Sequence, residues 1–482
     1  MPETKKTRLP VSLALTVARI LRDKHNIDHW KGSFDDSFTA EELSKITELS
    51  FDDNSGGQGC CAGIELLPNL KKLSIQSHKN TAYVSPDDIV SIGDKDIASI
   101  EKCKSLETLK IENQERLSWL DVSLLTNLKK LEVVGNPNLE QLDGLDKVPL
   151  LNSLTCFGNE GLFKIEKLDK TIESKPHLQH LYLDVLLFPS AIGYQYSGQT
   201  NEKAIGKIKR IASNGGCCWT QAVVASNKTV DGFGTTITQG TTYHCRLSNP
   251  QMIEMHNCAC QILEDNVQHA SSTLRTVVGV ENYLARKVSY DREHAREKEG
   301  IAHGDNGAYN CLVKKYCVCE GYARGMQYLL ALKGIRSHTV HCIGGKPDEK
   351  GISNLTTTLN RFTLVQPDLG RLHSILRVDD CYCYYCDPCW DAGKYQHTGA
   401  KKDQTLPYCL LTKSEISKTH TLSIQERVFN EGQKKSRTDI ADEIRYNELF
   451  LKTKASQMEV QRKQLGQQKT APVRGMILSG RS

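Results

Sequence analysis

At 482 residues, with 39% hydrophobic and 25% charged residues and only 14 prolines, the chain has a globular composition and is long enough for two or three domains. Its 62 basic and 57 acidic residues leave a net charge of +5, a small excess that gives no support to nucleic-acid binding, which needs concentrated basic patches. No run of 18 apolar residues occurs, so no membrane span is expected. The 18 cysteines fall in adjacent pairs (Cys60–Cys61, Cys217–Cys218) and tight clusters rather than in the spacing of a small disulfide-stapled domain. A reducing compartment, with most thiols free and buried, is the reading.

Residues 1–40 read as a helical lead-in. Lys5, Lys6 and Arg8 before Leu9–Ala18 imitate a secretory signal. However, Ser12 and Thr16 interrupt the run, and Arg19, Arg22, Asp23 and Lys24 follow without a small-residue cleavage site, so a surface helix is expected.

From 41 to 190 a repeat is visible. Leu70-x-x-Leu73-x-Ile75 returns at Leu106, Leu128, Leu151 and Leu178, with a weaker copy at Ile46, in steps of 24, 36, 22, 23 and 27 residues. The copies LKKLEVVGNPNL and LNSLTCFGNEGL, starting at Leu128 and Leu151, carry Asn136 and Asn159 in place, and the segment resembles leucine-rich repeats. The resemblance implies a short parallel strand per repeat, an asparagine satisfying backbone groups at the following turn, and a concave face for a protein partner. Lys72, Ser74, Lys110, Lys130, Glu132, Thr155 and Tyr182 are expected to be exposed there. Residues 191–265 read as a connecting segment packed on the next domain, with loops at Ser213–Gly216 and Gly232–Thr242.

Residues 266–425 carry the chemistry. A helix is expected over Leu274–Lys287 and another from Glu320 to Lys333, closed by Gly334 and followed by a strand over Ile335–Ile343. Cys319 stands at that helix start, where partial positive charge lowers a thiol pKa and backbone N–H groups can hold an oxyanion. Cys317 is the rival nucleophile and is set aside because it precedes the helix. A base and an orienting acid are still needed. If Asp379-Asp380-Cys381 is a three-residue hairpin loop, residue numbers summing to 760 pair, and His373 opposes Asp387 on one face. His338 and His341 are rival bases, on a strand without such a partner.

The ordered segments VCEGYA, HSILRV and YYCDPCWD resemble the transglutaminase-like core of the papain-like thiol superfamily, over roughly 270–422. The resemblance implies Cys319 as nucleophile, His373 as base and Asp387 as orienting acid. LTKSEISKTH, Leu411–His420, is similar to the closing segment of such cores. Ser374-Ile375-Leu376 and Cys389 depart from the usual motifs and leave the side-chain oxyanion donor open between Tyr290 and Asn310. The cluster Cys381, Cys383, Cys386, Cys389 reads as buried thiols rather than zinc ligands, because Cys383 and Cys386 would point to opposite faces of one strand. Neither a metal nor a cofactor is expected.

Residues 426–482 read as a tail, with an amphipathic helix over Thr438–Lys454 and disorder from about Arg462. The fold class expected is α+β: a short leucine-rich repeat solenoid followed by a transglutaminase-like papain-like domain. The function expected is thiol-dependent acyl transfer on a protein amide (protease, deamidase or transglutaminase), with an inactive protein-binding scaffold as the alternative. The architecture resembles bacterial effectors, cytoplasmic or delivered into a host cytosol.

Overall fold

A computed structural model describes residues 6–30, 34–51, 60–77, 92–195, 198–230, 236–267, 273–291, 307–344, 355–365, 381–397, 406–422 and 430–431. Six short strands carry the repeat: β1 (Glu48–Phe51), β2 (Lys72–Gln76), β3 (Thr108–Glu112), β4 (Lys130–Val134), β5 (Ser153–Phe157) and β6 (His180–Asp184). Alternation along each strand sends one side chain inward and the next outward. Leu73, Leu109, Leu131 and Leu154 are at most 1% exposed. The strands are parallel and in one register, so Leu49, Leu73, Leu109, Leu131, Leu154 and Leu181 stand side by side. Of the residues expected on the outward face, Thr155 is instead buried. Lys72, Lys110 and Lys130 pair there with Glu48, Glu112 and Glu132.

The turns after the strands are closed by a ladder of buried amides. Asn136 Oδ1 accepts the Gln114 N–H at 2.8 Å, and Asn159 Oδ1 accepts the Asn136 N–H at 2.9 Å. Gln114 takes the asparagine position of the Leu106 repeat, and its Oε1 accepts the Ile92 N–H. Asp184 ends the series, accepting the Gly158 N–H at 3.3 Å.

The lead-in forms α1 (Val11–His25). Its Leu13, Ala14, Val17, Ala18 and Leu21 are fully buried and belong to the same apolar core as the repeat leucines.

The repeat sheet does not stop near 190. β7 (Cys217–Val230) pairs in parallel with β6, and β8 (Thr236–Leu247) returns antiparallel, giving eight strands in sequence order among the described residues. The loop expected over Gly232–Thr242 is therefore strand from Thr236 onward; threonine and glycine there pair across a ladder instead of turning. Trp219 on β7 is fully buried, and its Nε1–H donates to Asn249 Oδ1 at 3.1 Å. Asn249 opens α2 (Asn249–Asn266), which Ser248 caps reciprocally with Gln251.

Two further helices follow, α3 (Thr273–Lys287) and α4 (Cys319–Leu332), both close to the expected spans, and Gly334 takes a φ of +72° just past α4. A second sheet has the order β12 (His420–Leu422), β9 (Ser337–Gly344), β10 (Leu355–Val365), β11 (Cys381–Cys386) and β13 (Asn430–Glu431). Cys381, expected in the loop of a tight hairpin, instead begins β11 and pairs with Val365. Tyr382 on β11 pairs with Leu364 on one side and Asn430 on the other, and residues 373–378, the other arm of the expected hairpin, lie outside the described residues. His373 itself, the helix over Thr438–Lys454 and the tail lie outside the described residues.

The two halves meet at Arg324 on α4. It is 3% exposed, donates to Glu320 at 2.8 Å and to Glu160 at 3.3 Å, and also reaches Gln327. Glu160 follows the ladder residue Asn159. Burial pushes Asp184 up to about 6, with Arg324 opposing the rise. Arg336 adds bonds to the Gly161 carbonyl and Glu140. The end of the amide ladder is thus tied ionically to the helix that begins at Cys319.

Candidate functional site

Val318 precedes α4 with extended backbone (φ −90°, ψ −178°) and makes no side-chain cap. The first-turn N–H groups of the helix, which have no intrahelical acceptor, therefore meet no competing cap oxygen at Val318. Cys319 is the first helical residue and is half-buried. Cys317 is 2% exposed, and burial, followed by its neighbour Cys311, pushes its thiol well up. Of the two, only Cys319 combines the helix start with access.

Ser289–Tyr290 runs parallel to Tyr316–Cys317, with Tyr290 opposite Cys317. Burial raises the Tyr290 phenol, and Cys319, Cys389, Asp387 and Cys317 add to the rise in that order. Cys389 is raised well above the ordinary thiol range by burial, then by Asp387 and Cys319. The charges of Cys319 and Asp387 thus both act on Tyr290 and Cys389, and α4 packs against the helix that follows Asp387. Asn310, the other oxyanion candidate, opens the turn Asn310–Lys314 and is half-buried.

Asp387 links β11 to α5 (Pro388–His397). Pro388 cannot continue the ladder but suits the first turn of a helix, and Asp387 Oδ1 accepts the Trp390 N–H at 2.9 Å. Its Oδ2 faces His420 Nε2 at 3.1 Å, and the side chains of both residues are fully buried. His420 Nδ1 lies 2.9 Å from Thr419 Oγ1, and the ring packs on Trp390 at 4.5 Å. Both nitrogens of His420 are thus engaged, one by Asp387 and one by Thr419. The rival bases His338 and His341 sit on β9, opposite Arg361 and Thr358 of β10.

The four-cysteine cluster expected as buried thiols divides. Cys386 Sγ lies 3.9 Å from Cys409 Sγ, whereas Cys389 feels the charges of Asp387 and Cys319. The side chains of Cys381 and Cys383 lie outside the described residues. A cavity of about 640 Å³ is lined by Phe188, Tyr194, Ile253, His256 and Cys260, not by the Cys319 group.

No protein-family model and no curated protein matches the sequence. Among solved structures, the chain is similar to an internalin from Listeria monocytogenes, at 20% identity, with a TM-score of 0.23, over 38% of this chain and 59% of that one. The chain thus spans less than two thirds of the internalin's length.

Chemically, a half-buried thiol at a helix start with a buried carboxylate nearby can attack an acyl carbon, provided a base takes the thiol proton. His420 is the residue that the motif reading left without a role. Its signal was its place at the end of LTKSEISKTH, nine residues past Leu411. Glu281 and Cys409 were also passed over, because a lone buried acid in an apolar helix and a lone cysteine in a loop carry no spacing pattern.

Proposed function

We propose that the chain is a thiol-dependent acyl transferase or hydrolase acting on a protein amide. Cys319 attacks the carbonyl, amine or ammonia leaves, and a thioester forms that water or an amine resolves. His373 is the base and Asp387 orients it. The observation that carries this reading is the position of Cys319 as first residue of α4, half-buried, with its charge and that of Asp387 both acting on Tyr290 and Cys389. On this reading the leading segment is a leucine-rich repeat solenoid that recruits the protein substrate, and the second half is a transglutaminase-like core.

The test is a chloroacetamide or iodoacetamide probe at about pH 6, with sites mapped by mass spectrometry; a thiolate stabilised at a helix start labels there while ordinary thiols do not. Selective labelling of Cys319 is expected. Equal or slower labelling than at the other cysteines would favour a binding scaffold without a live site, the alternative raised by Ser374-Ile375-Leu376. Substrate class is then read from Cys319-dependent mass changes in candidate proteins, since deamidation, cleavage and crosslinking leave different signatures.

A further inference from the structure

Four buried groups from four segments converge behind Asp387. Glu281 comes from α3, Cys386 from the end of β11, Asp391 from α5, and Cys409 from the 406–411 segment. Glu281, Asp391, Cys386 and Cys409 are all fully buried. An oxygen of Glu281 and the sulfurs of Cys386 and Cys409 lie within 4.8 Å of one another. Neither oxygen of Glu281 meets an N–H donor, and its polar neighbours are the Asp391 carboxyl and the Cys386 and Cys409 thiols; Asp391 Oδ1 accepts the Tyr408 N–H at 3.1 Å. Two facing carboxyls with two thiols in a dry interior need either shared protons or a cation.

The spacing fits a cation. Two thiolates each about 2.3 Å from a tetrahedral zinc ion stand about 3.8 Å apart. Cys386 and Cys409 are 3.9 Å apart. The Leu410 N–H donates to Cys386 Sγ at 3.2 Å, the outer-shell bond that orients a metal-bound thiolate. Contraction of the oxygen–sulfur edges, now within 4.8 Å, to about 3.5 Å seats three ligands, and a turn of the Asp391 carboxyl, which lies against Glu281, supplies the fourth. The other grouping of this kind, Cys60, Cys61 and Asp96, differs: both Asp96 oxygens already accept backbone N–H groups, from Cys61 and Gly93.

We propose that Glu281, Cys386 and Cys409 hold one structural zinc-class divalent ion, with Asp391 turning in to close the site as the fourth ligand. Such an ion pins α3, β11, α5 and the 406–411 segment together, and it fixes the residue next to Cys386, which is Asp387. It is independent of whether Cys319 is catalytic.

The experiment uses the full chain, expressed with zinc supplementation and purified without chelator. Elemental analysis is expected to give about one zinc per chain, as a four-ligand thiolate site retains its ion. Alkylation mapping is expected to show Cys386 and Cys409 protected until a chelator is added. Cobalt loaded into the apo-protein is expected to give a thiolate charge-transfer band, lost in Cys409→Ser and Glu281→Gln. Should a variant fail to fold, the wild-type metal content and protection pattern still decide. Wild-type protein that carries no zinc and binds no cobalt overturns the proposal, as does bound zinc that leaves the alkylation of Cys386 and Cys409 unchanged on chelation.

Discussion

On the proposed mechanism, His373 and His420 have different parts in the chemistry of Cys319. His420 is fully buried with one nitrogen on Asp387 and the other on Thr419, an arrangement that holds the carboxylate rather than accepting a thiol proton. His373→Ala is expected to lower turnover by about 10²- to 10⁴-fold, the span of a lost general base, and to move the pH profile of Cys319 alkylation toward that of an ordinary thiol. His420→Ala is expected to lower thermal stability and cost only about tenfold in rate through a less well-held Asp387. The reverse pattern, read from alkylation profiles of the two variants, would make His420 the base. Sequence pattern could select Cys319 and Asp387 because each sits at a helix start marked by local residues. It could not pair Asp387 with His420, since a separation of 33 residues hides a contact made only by folding.

At the scale of the element, the repeat strands are stabilised by inward leucines and by the amide ladder. Asn159 accepts the Asn136 N–H and donates to the Val133 carbonyl at 2.9 Å, both buried. Asn159→Ala leaves these groups unsatisfied and is expected to cost about 2–4 kcal/mol, against about 1 kcal/mol or less for Asn127→Ala, an exposed amide on the Lys104 carbonyl. Denaturant unfolding of the two variants checks the ordering; equal losses would remove the ladder as a stabilising device. Leucine spacing and the two asparagines made these strands legible. Gln114 was not, because a longer amide fills the same place only once its neighbours are known. β7 and β8 were misread in part because threonine and glycine, weak strand markers alone, are held here by twelve consecutive cross-strand pairs.

Across the whole molecule, two buried titrating groups pull stability in opposite directions with pH. His256 lies among Phe188, Tyr194 and Tyr328, with Nδ1 3.0 Å from the Tyr328 hydroxyl, and burial lowers its pKa to about 4. The unfolded chain then binds more protons between pH 6.5 and 4, so its contribution is full above 6.5 and is lost as pH falls toward 4, by about 3 kcal/mol. Asp184, raised to about 6, has the opposite sign: it favours the folded state below about 4, and that contribution is lost as pH rises through 6. The stability difference between wild type and His256→Gln is expected to shift by about 3 kcal/mol over that window, and Asp184→Asn to steepen the acid-side loss. Chemical denaturation at pH 4, 5, 6 and 7 measures both; a difference independent of pH would show His256 titrating normally.

By itself the sequence determined the parallel repeat strands, the helix beginning at Cys319 and the stop after Asp387, because each follows from periodicity or from what proline, glycine and cysteine do locally. Only the tertiary structure decided that β7 and β8 extend the repeat sheet, that Arg324 joins the ladder's end to the Cys319 helix, and that Glu281, Cys386 and Cys409 meet. Those contacts join segments tens to more than a hundred residues apart. Local pattern carries no record of them, since a buried charge is tolerated only beside a partner that folding supplies.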